Sequence, residues 1–318
     1  MKTKIFFINL IFFIQFMFAA AKTDALKFVE FQDPPNEARP RAYLCWVNGN
    51  FDLTQIAHEL QEAKDKGMGG FDIWDVGTMI NPDGRVPAGP VFMGDKSVQA
   101  IAFTVREATK LGLDIGLTIS SSWNAGGTWV KPEHGAMGLF RSGVSVKGPS
   151  VFKGVLPFPE LPERYDPARK TLIKKDSNGL PTFYREVAVL AVPVAKDSTL
   201  TDMSRIFDIS DKLKQNGQID WNAPAGDWEI TRYVCAPTGQ PLMIPSPNSV
   251  GRMIDHFSAG AMETHLLYFI EKLRKELGSF AGTALKHLYT DSYEVNSAIW
   301  TPKLPEEFEK RNGYSLIP

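Results

Sequence analysis

Cysteine is nearly absent: Cys45 and Cys235 are the only two in 318 residues. A disulfide-rich scaffold is therefore excluded. The two lie far apart in apolar, strand-like runs and read as buried free thiols rather than a bridge. Histidine is equally scarce, with 5 scattered residues and no Cys/His spacing that suits zinc. Charge of one sign is also lacking. Lys and Arg number 35 against 36 Asp and Glu, a formal net charge of -1, so neither nucleic acid nor an anionic membrane is indicated as a partner. No G-x-G-x-x-G follows a strand, no Walker lysine motif is present, and no serine elbow has recognisable partners. Long apolar runs are missing too. Nothing reaches the ~20 residues a spanning helix needs.

What is present begins with a leader. Lys2 and Lys4 precede a 14-residue, almost wholly apolar run from Ile5 to Phe18, and Ala19-Ala20-Ala21 fits a small-residue cleavage site. The pattern is a secretory signal peptide over residues 1–21, which implies export to the periplasm or beyond and no membrane span in the mature chain. No cysteine follows the cleavage point, so no lipoprotein anchor is expected. The whole chain is 43% hydrophobic and 22% charged, a globular composition with enough length for a sizeable core.

From about residue 41 the chain alternates strand and helix. Arg41 to Val47 reads as a strand, and Asp52 as the N-cap of a helix with Gln55 at capping-box spacing. Leu53, Ile56, Leu60 and Ala63 mark its apolar stripe, and Gly67 closes it. Gly70 to Val76 is a second strand. Asp95 caps a second helix with Val98, Ile101, Ala102, Val105 and Ala108 on one face, ending at Gly112. Leu113 to Ile119 is a third strand. Residues 142–245 change character. Short strand-like runs (Val144 to Val146, Val187 to Val194, Arg205 to Ile209, Trp228 to Cys235) are punctuated by Pro and Gly, with no long helix. The α/β pattern then resumes with an amphipathic helix over His256 to Leu277, a strand over Ala284 to Thr290 and a helix from about Pro305. The order predicts an α/β fold: residues 22–141 and 246–318 form parts of a parallel (β/α) unit, interrupted by an inserted β-rich domain at 142–245. Four candidate strands fall short of the eight of a closed TIM-like barrel. Either the sheet is open, or the chain is the N-terminal part of a larger protein and carries a partial barrel.

In parallel α/β folds chemistry collects at the C-terminal ends of the strands. Those ends carry Trp46-Val47-Asn48, Trp74-Asp75, Trp123-Asn124 and Asp291-Ser292-Tyr293-Glu294, with Trp300 close behind. Each supplies an aromatic beside Asn, Asp or Glu, the pairing that grips and processes sugars. Any one alone reads more readily as a core aromatic or a turn. Glycoside cleavage needs a proton donor and a second carboxylate. Glu294 is the first candidate catalytic carboxylate, with Tyr293 or Trp300 as the apolar wall that raises its pKa. Asp291 is a catalytic or positioning partner. The competing reading makes Asp291 a helix N-cap and Glu294 a solvated side chain. Trp46, Asn48, Asp75, Trp123, Asn124, Tyr293 and Trp300 are candidate substrate-binding residues. Asp72 is a further candidate acid, since alternation cannot say whether it or Ile73 points inward. Asp75, Asp291 and Glu294 are hard oxygen ligands of the type a cation takes, without EF-hand spacing.

Several of these segments resemble the α-L-rhamnosidase-like enzymes of glycoside hydrolase family 106. They are Arg39 to Asn50, Lys66 to Phe71, Gly116 to Trp123 with Gly126-Gly127, and Pro224 to Trp228. The most specific block is Asp291-Ser292-Tyr293-Glu294-Val295 with Trp300-Thr301-Pro302 and Phe308 to Tyr314. The resemblance runs from about residue 38 to the end. It implies an exported enzyme with a TIM-like barrel interrupted by a β domain, removing terminal L-rhamnose from plant oligo- or polysaccharides by inversion, in a family associated with calcium. It carries Glu294 and Asp291 over as site residues. It also implies further strands and a second catalytic carboxylate beyond residue 318, so that the 318-residue chain alone is expected to be inactive. The alternative is a glycan-binding protein on the same fold, without turnover.

Overall fold

The computed structural model describes residues 28–164, 169–194, 202–294 and 299–317; the leader lies outside them. After a short helix α1 (Phe28–Gln32), the elements run β1 (Arg41–Val47), α2 (Leu53–Asp65), β2 (Gly70–Val76), α3 (Asp95–Leu111) and β3 (Asp114–Thr118). The small strand β4 (Gly126–Gly127) leads to β5 (Met137–Val155), β6 (Arg185–Pro193), β7 (Phe207–Asp208) and β8 (Gln218–Pro237). The chain returns through β9 (Arg252–Met253), α4 (Ala259–Leu277), β10 (Leu285–Tyr289) and α5 (Leu304–Asn312). Among the described residues no helix is long and apolar enough to cross a membrane.

Strands β1, β2, β3 and β10 form one parallel sheet in that order. Each helix covers the sheet because its apolar positions recur at three and four residues. Asp52 caps α2 by accepting from the backbone N–H groups of Thr54 (2.8 Å) and Gln55 (3.0 Å). The Gln55 side chain turns outward to Glu59, so only half of the expected capping box forms. α3 is capped by Gly94 rather than Asp95, which sits in its first turn. Leu44, Trp46, Phe71, Ile73, Ile115 and Leu117 face the helices and build one core with Ile56, Leu60, Ile101, Val105, Phe269 and Leu273.

The opposite face is built in register. Tyr43, Asp72, Gly116 and His287 form one row across the four strands. Side chains stand roughly perpendicular to a sheet. Even so, Tyr43 of one outer strand stacks at 6.3 Å on Tyr289 of the other. The sheet therefore curls, with this face concave. Its four strands do not close: β1 and β10 each have a single neighbour among the described residues.

The second sheet has the order β5-β8-β6-β7 and is antiparallel throughout. It spans 137–237, against the 142–245 read from the sequence, and no α-helix lies between its strands among the described residues. Its core is Val146, Leu156, Val189, Ala191, Ile219, Trp221, Trp228 and Ile230. Two of its strands are far longer than their sequence suggests, 19 residues for β5 and 20 for β8. Pro and Gly at 148–149 and 224–226 resemble turns. They instead occupy a register shift between Gly148 and Ser150 that both strands absorb without stopping.

Candidate active site

The acidic segment leaves β10 where the sequence places it, at the C-terminal end of the parallel sheet. It is held by the loop after β3. The carbonyl of Trp123 accepts from the Asp291 N–H (3.1 Å), the Ser292 N–H (3.4 Å) and the Thr290 hydroxyl (2.8 Å). Asn124, fully buried, donates from Nδ2 to the Ser292 carbonyl at 3.5 Å. Across the concave face the Tyr43 hydroxyl donates to Asp291 Oδ1 at 2.8 Å, linking residues 248 apart in the chain. That bond, with burial, holds the Tyr43 phenol above its ordinary pKa, so it stays a donor. Glu294 is exposed, and the Ser292 hydroxyl donates to its Oε1 at 3.1 Å.

Neither expected wall packs as read from the sequence. The Tyr293 ring lies edge-on to His256 (4.9 Å) and Phe257 (6.2 Å). Trp300 pairs with Met137 and borders a cavity of about 420 Å³ on the antiparallel sheet, beside Leu139, Leu190, Tyr233 and Ile317. What does line the concave face is an aromatic run of Tyr43, Trp74 and Trp123, with ring centroids 4.9 and 6.5 Å apart. Trp74 is pinned by its indole N–H to the Ser122 carbonyl at 2.9 Å. Below it His287 of β10 reaches Asp72 of β2 (3.0 Å) by passing over β3. A side chain at Gly116 would overlap both partners, so this crossing requires glycine.

Three further candidates are buried, as Asn124 is. Trp46 is 2% exposed, in the helix-side core against Phe51 (4.9 Å). Asn48 adopts φ 55° and latches the loop after β2, its Oδ1 accepting from the Thr78 N–H (2.8 Å) and its Nδ2 donating to the Val86 carbonyl (3.0 Å). Asp75 is 1% exposed on the helix side, where the hydroxyls of Ser121 and Ser246 (2.7 Å for the latter) donate to its Oδ1. Burial pushes its pKa up to about 6 against the pull of those two hydroxyls. Asp75 is thus a knot tying the ends of β2 and β3 to the segment that returns from the antiparallel sheet. Burial settles the Asp72 question as well: Ile73 joins the core, and Asp72 faces the concave side.

Sequence reasoning missed Tyr43, Tyr289 and His287, and took Trp74 only as the aromatic beside Asp75. The available signal was pairing of alternate positions: Leu44 and Trp46 match Ile73 in an apolar set, which leaves Tyr43, Cys45, Asp72 and Trp74 on the other face. Cys45 accordingly is exposed, contrary to the buried thiol expected; Cys235 is buried, both are free, and burial lifts the Cys235 thiol to about 12. Four buried polar atoms near this strand end have no hydrogen-bond partner among the described residues: Thr118 Oγ1, Ser120 Oγ, Asn124 Oδ1 and the Tyr289 hydroxyl. Among the described residues no group of three or more His, Cys, Asp or Glu side chains converges as metal ligands.

The family model described as alpha-L-rhamnosidase matches residues 32–205 and 194–318. A "Putative beta-glucuronidase" of Formosa agariphila is 27% identical, over 90% of this chain and 25% of that protein. The solved structure of a rhamnosidase from Novosphingobium sp. PP1Y superposes with a TM-score of 0.65 at 20% identity, over 90% of this chain and 41% of its own. The chain thus spans about a quarter of the one relative's length and 41% of the other's, and at 20% identity the latter likeness speaks for the fold alone. The two matched segments together take in nearly the whole described chain, including the turn that carries Asp291 and Glu294, and by them the chain belongs to the alpha-L-rhamnosidase family, glycoside hydrolase family 106.

Proposed function

We propose that this chain carries part of the active site of an exported glycosidase that removes α-L-rhamnosyl or closely related residues from plant-type polysaccharides. The observation that carries the reading is the Asp291–Glu294 turn: its backbone is fixed by Trp123 and its first carboxylate is held by Tyr43 across a concave aromatic face. Glu294 is exposed and bonded by the neighbouring Ser292 hydroxyl, whereas Asp291 is engaged across the face by Tyr43. In this reading Glu294 delivers a proton to the leaving oxygen, while a second carboxylate takes one from the attacking water on the opposite side of the ring. Asp291, engaged by Tyr43, orients the sugar. Tyr43, Trp74 and Trp123 offer aromatic faces to the pyranose.

The four strands in sequential order and their curl support a (β/α)₈ barrel interrupted between β3 and β10 by the antiparallel sheet; closure takes four further strands. Calcium does not fit the described residues. It takes 6–8 oxygen ligands, whereas Asp75 is committed to Ser121 and Ser246 on the helix side, leaving only Asp291 and Glu294 of the three acids. No step is assigned to it.

The test is hydrolysis of p-nitrophenyl α-L-rhamnoside by the chain extended through its downstream reading frame, with Glu294→Gln beside it. Loss of about 10²-fold or more in kcat with sugar affinity kept supports the reading. Full turnover in Glu294→Gln removes Glu294 from catalysis, and binding without any turnover in the unaltered protein favours a glycan-binding role.

A further inference from the structure

Glu294 sits between two anchored points that both lead to one tripeptide, Asp255-His256-Phe257, on the approach to α4. On the near side, Tyr293 packs edge-on against the rings of His256 and Phe257, at 4.9 and 6.2 Å. On the far side, the Thr301 hydroxyl donates to Asp255 Oδ2 at 2.7 Å. Both of these partners are buried, Asp255 at 2% exposure and Thr301 at 7%. Asp255 Oδ1 accepts from the Phe257 N–H at 3.0 Å, so both carboxylate oxygens are occupied.

A buried carboxylate gives up its hydration and is a poor choice for stability alone. What it supplies is a fixed acceptor that only a correctly placed donor satisfies. The tripeptide is itself rigidly mounted. Ser258 caps α4 by accepting from the Ala261 N–H (3.3 Å). One turn further on, His265 bonds the Ile119 carbonyl (2.7 Å) at the end of β3 and accepts from the Trp129 indole (3.0 Å). The Asp255 backbone N–H donates to the His134 carbonyl at 2.8 Å.

We propose that Asp255, His256 and Phe257 form a clamp that grips the chain on both sides of Glu294 and sets where its carboxylate stands, with Asp255 and Thr301 as positioning residues. The clamp rests on the reading of Glu294 as the proton donor. It also gives the route back from the antiparallel sheet a role: the segment that re-enters the parallel sheet carries the mount for the acid.

Hydrogen exchange of the 318-residue chain tests the clamp without reference to activity. In Thr301→Val, which keeps the shape and removes the hydroxyl, the Asp291 and Ser292 amides exchange roughly tenfold faster, while the β2 amides are unchanged. Thr301→Ser restores protection. His256→Ala, which strands no buried charge, loosens the same two amides and serves if Thr301→Val fails to fold. Unchanged exchange at Asp291 and Ser292 in a folded Thr301→Val or His256→Ala overturns the clamp. In the extended protein Thr301→Val lowers kcat roughly tenfold at constant KM, with recovery in Thr301→Ser. A full kcat in Thr301→Val, alongside an inactive Glu294→Gln, overturns the clamp while sparing the catalytic reading. Full activity in Glu294→Gln overturns that reading, and the exchange result still decides the clamp.

Discussion

The two faces of the parallel sheet are made by the same strands and could hardly differ more. On the helix side Leu44, Ile73, Ile115 and Leu117 are sealed under α2, α3 and α4. On the concave side the alternate positions hold Tyr43, Asp72, Trp74, His287 and Tyr289, joined by polar contacts that cross the sheet. Parallel strands buried on both faces read as unbroken apolar runs. These strands alternate, which means one face is reserved for something polar. The helix side supplies stability, and the concave side supplies geometry at modest energetic gain.

Three measurements sharpen that contrast. The largest effect falls on the helix side. Ile73→Ala opens a cavity among fully buried neighbours and costs roughly 2–5 kcal/mol in denaturant unfolding. A loss below about 1 kcal/mol breaks the division of labour between the faces.

The second effect is a pH dependence with opposite signs at two buried groups on the helix side. Burial lowers His265 from 6.5 to about 4, although its bond to Ile119 pulls the other way. A base depressed in the folded state contributes stability that is complete above 6.5 and is lost as pH falls toward 4. Asp75 is raised from 3.8 to about 6, so its contribution is complete below 3.8 and is lost as pH rises through 6. Between pH 7 and 5 the unaltered chain therefore loses about 2 kcal/mol relative to His265→Gln and gains about 1 kcal/mol relative to Asp75→Asn. Parallel pH profiles for chain and variant sink either assignment.

The smallest effect belongs to the concave side. Tyr43→Phe deletes one half-exposed hydrogen bond and costs about 1 kcal/mol or less, while freeing Asp291. Unfolding by urea gives the first quantity. If Tyr43→Phe instead matches Ile73→Ala, the concave face is as much a core as its opposite.

Much of the fold was legible because local periodicity carries it. The stripes of α2, α3 and α4 recur at helical spacing, and the four strand positions fall within a residue or two of those observed. α4 begins later than its pattern suggests, at Ala259 rather than His256, because Asp255, His256 and Phe257 are engaged with Thr301 and Tyr293. The lengths of β5 and β8 were not legible, since Pro and Gly mark a turn and a bulge alike. The site was half legible. Glu294 and Asp291 stand at the strand end as read, whereas Trp46 and Asp75 fall on the helix side and Tyr43 went unnoticed.

By itself the sequence determined which segments form helix or strand, that the strands run parallel, and that an acidic turn ends β10. Those properties follow from hydrogen bonding and apolar spacing within a few residues. Only the tertiary structure decided which face of each strand the helices cover, that the sheet curls, and that Tyr43 meets Asp291 from 248 residues away. Alternation has a period of two and no sign. The sign is set by which face the helices bury, and a contact across a curled sheet exists only once that burial has chosen it.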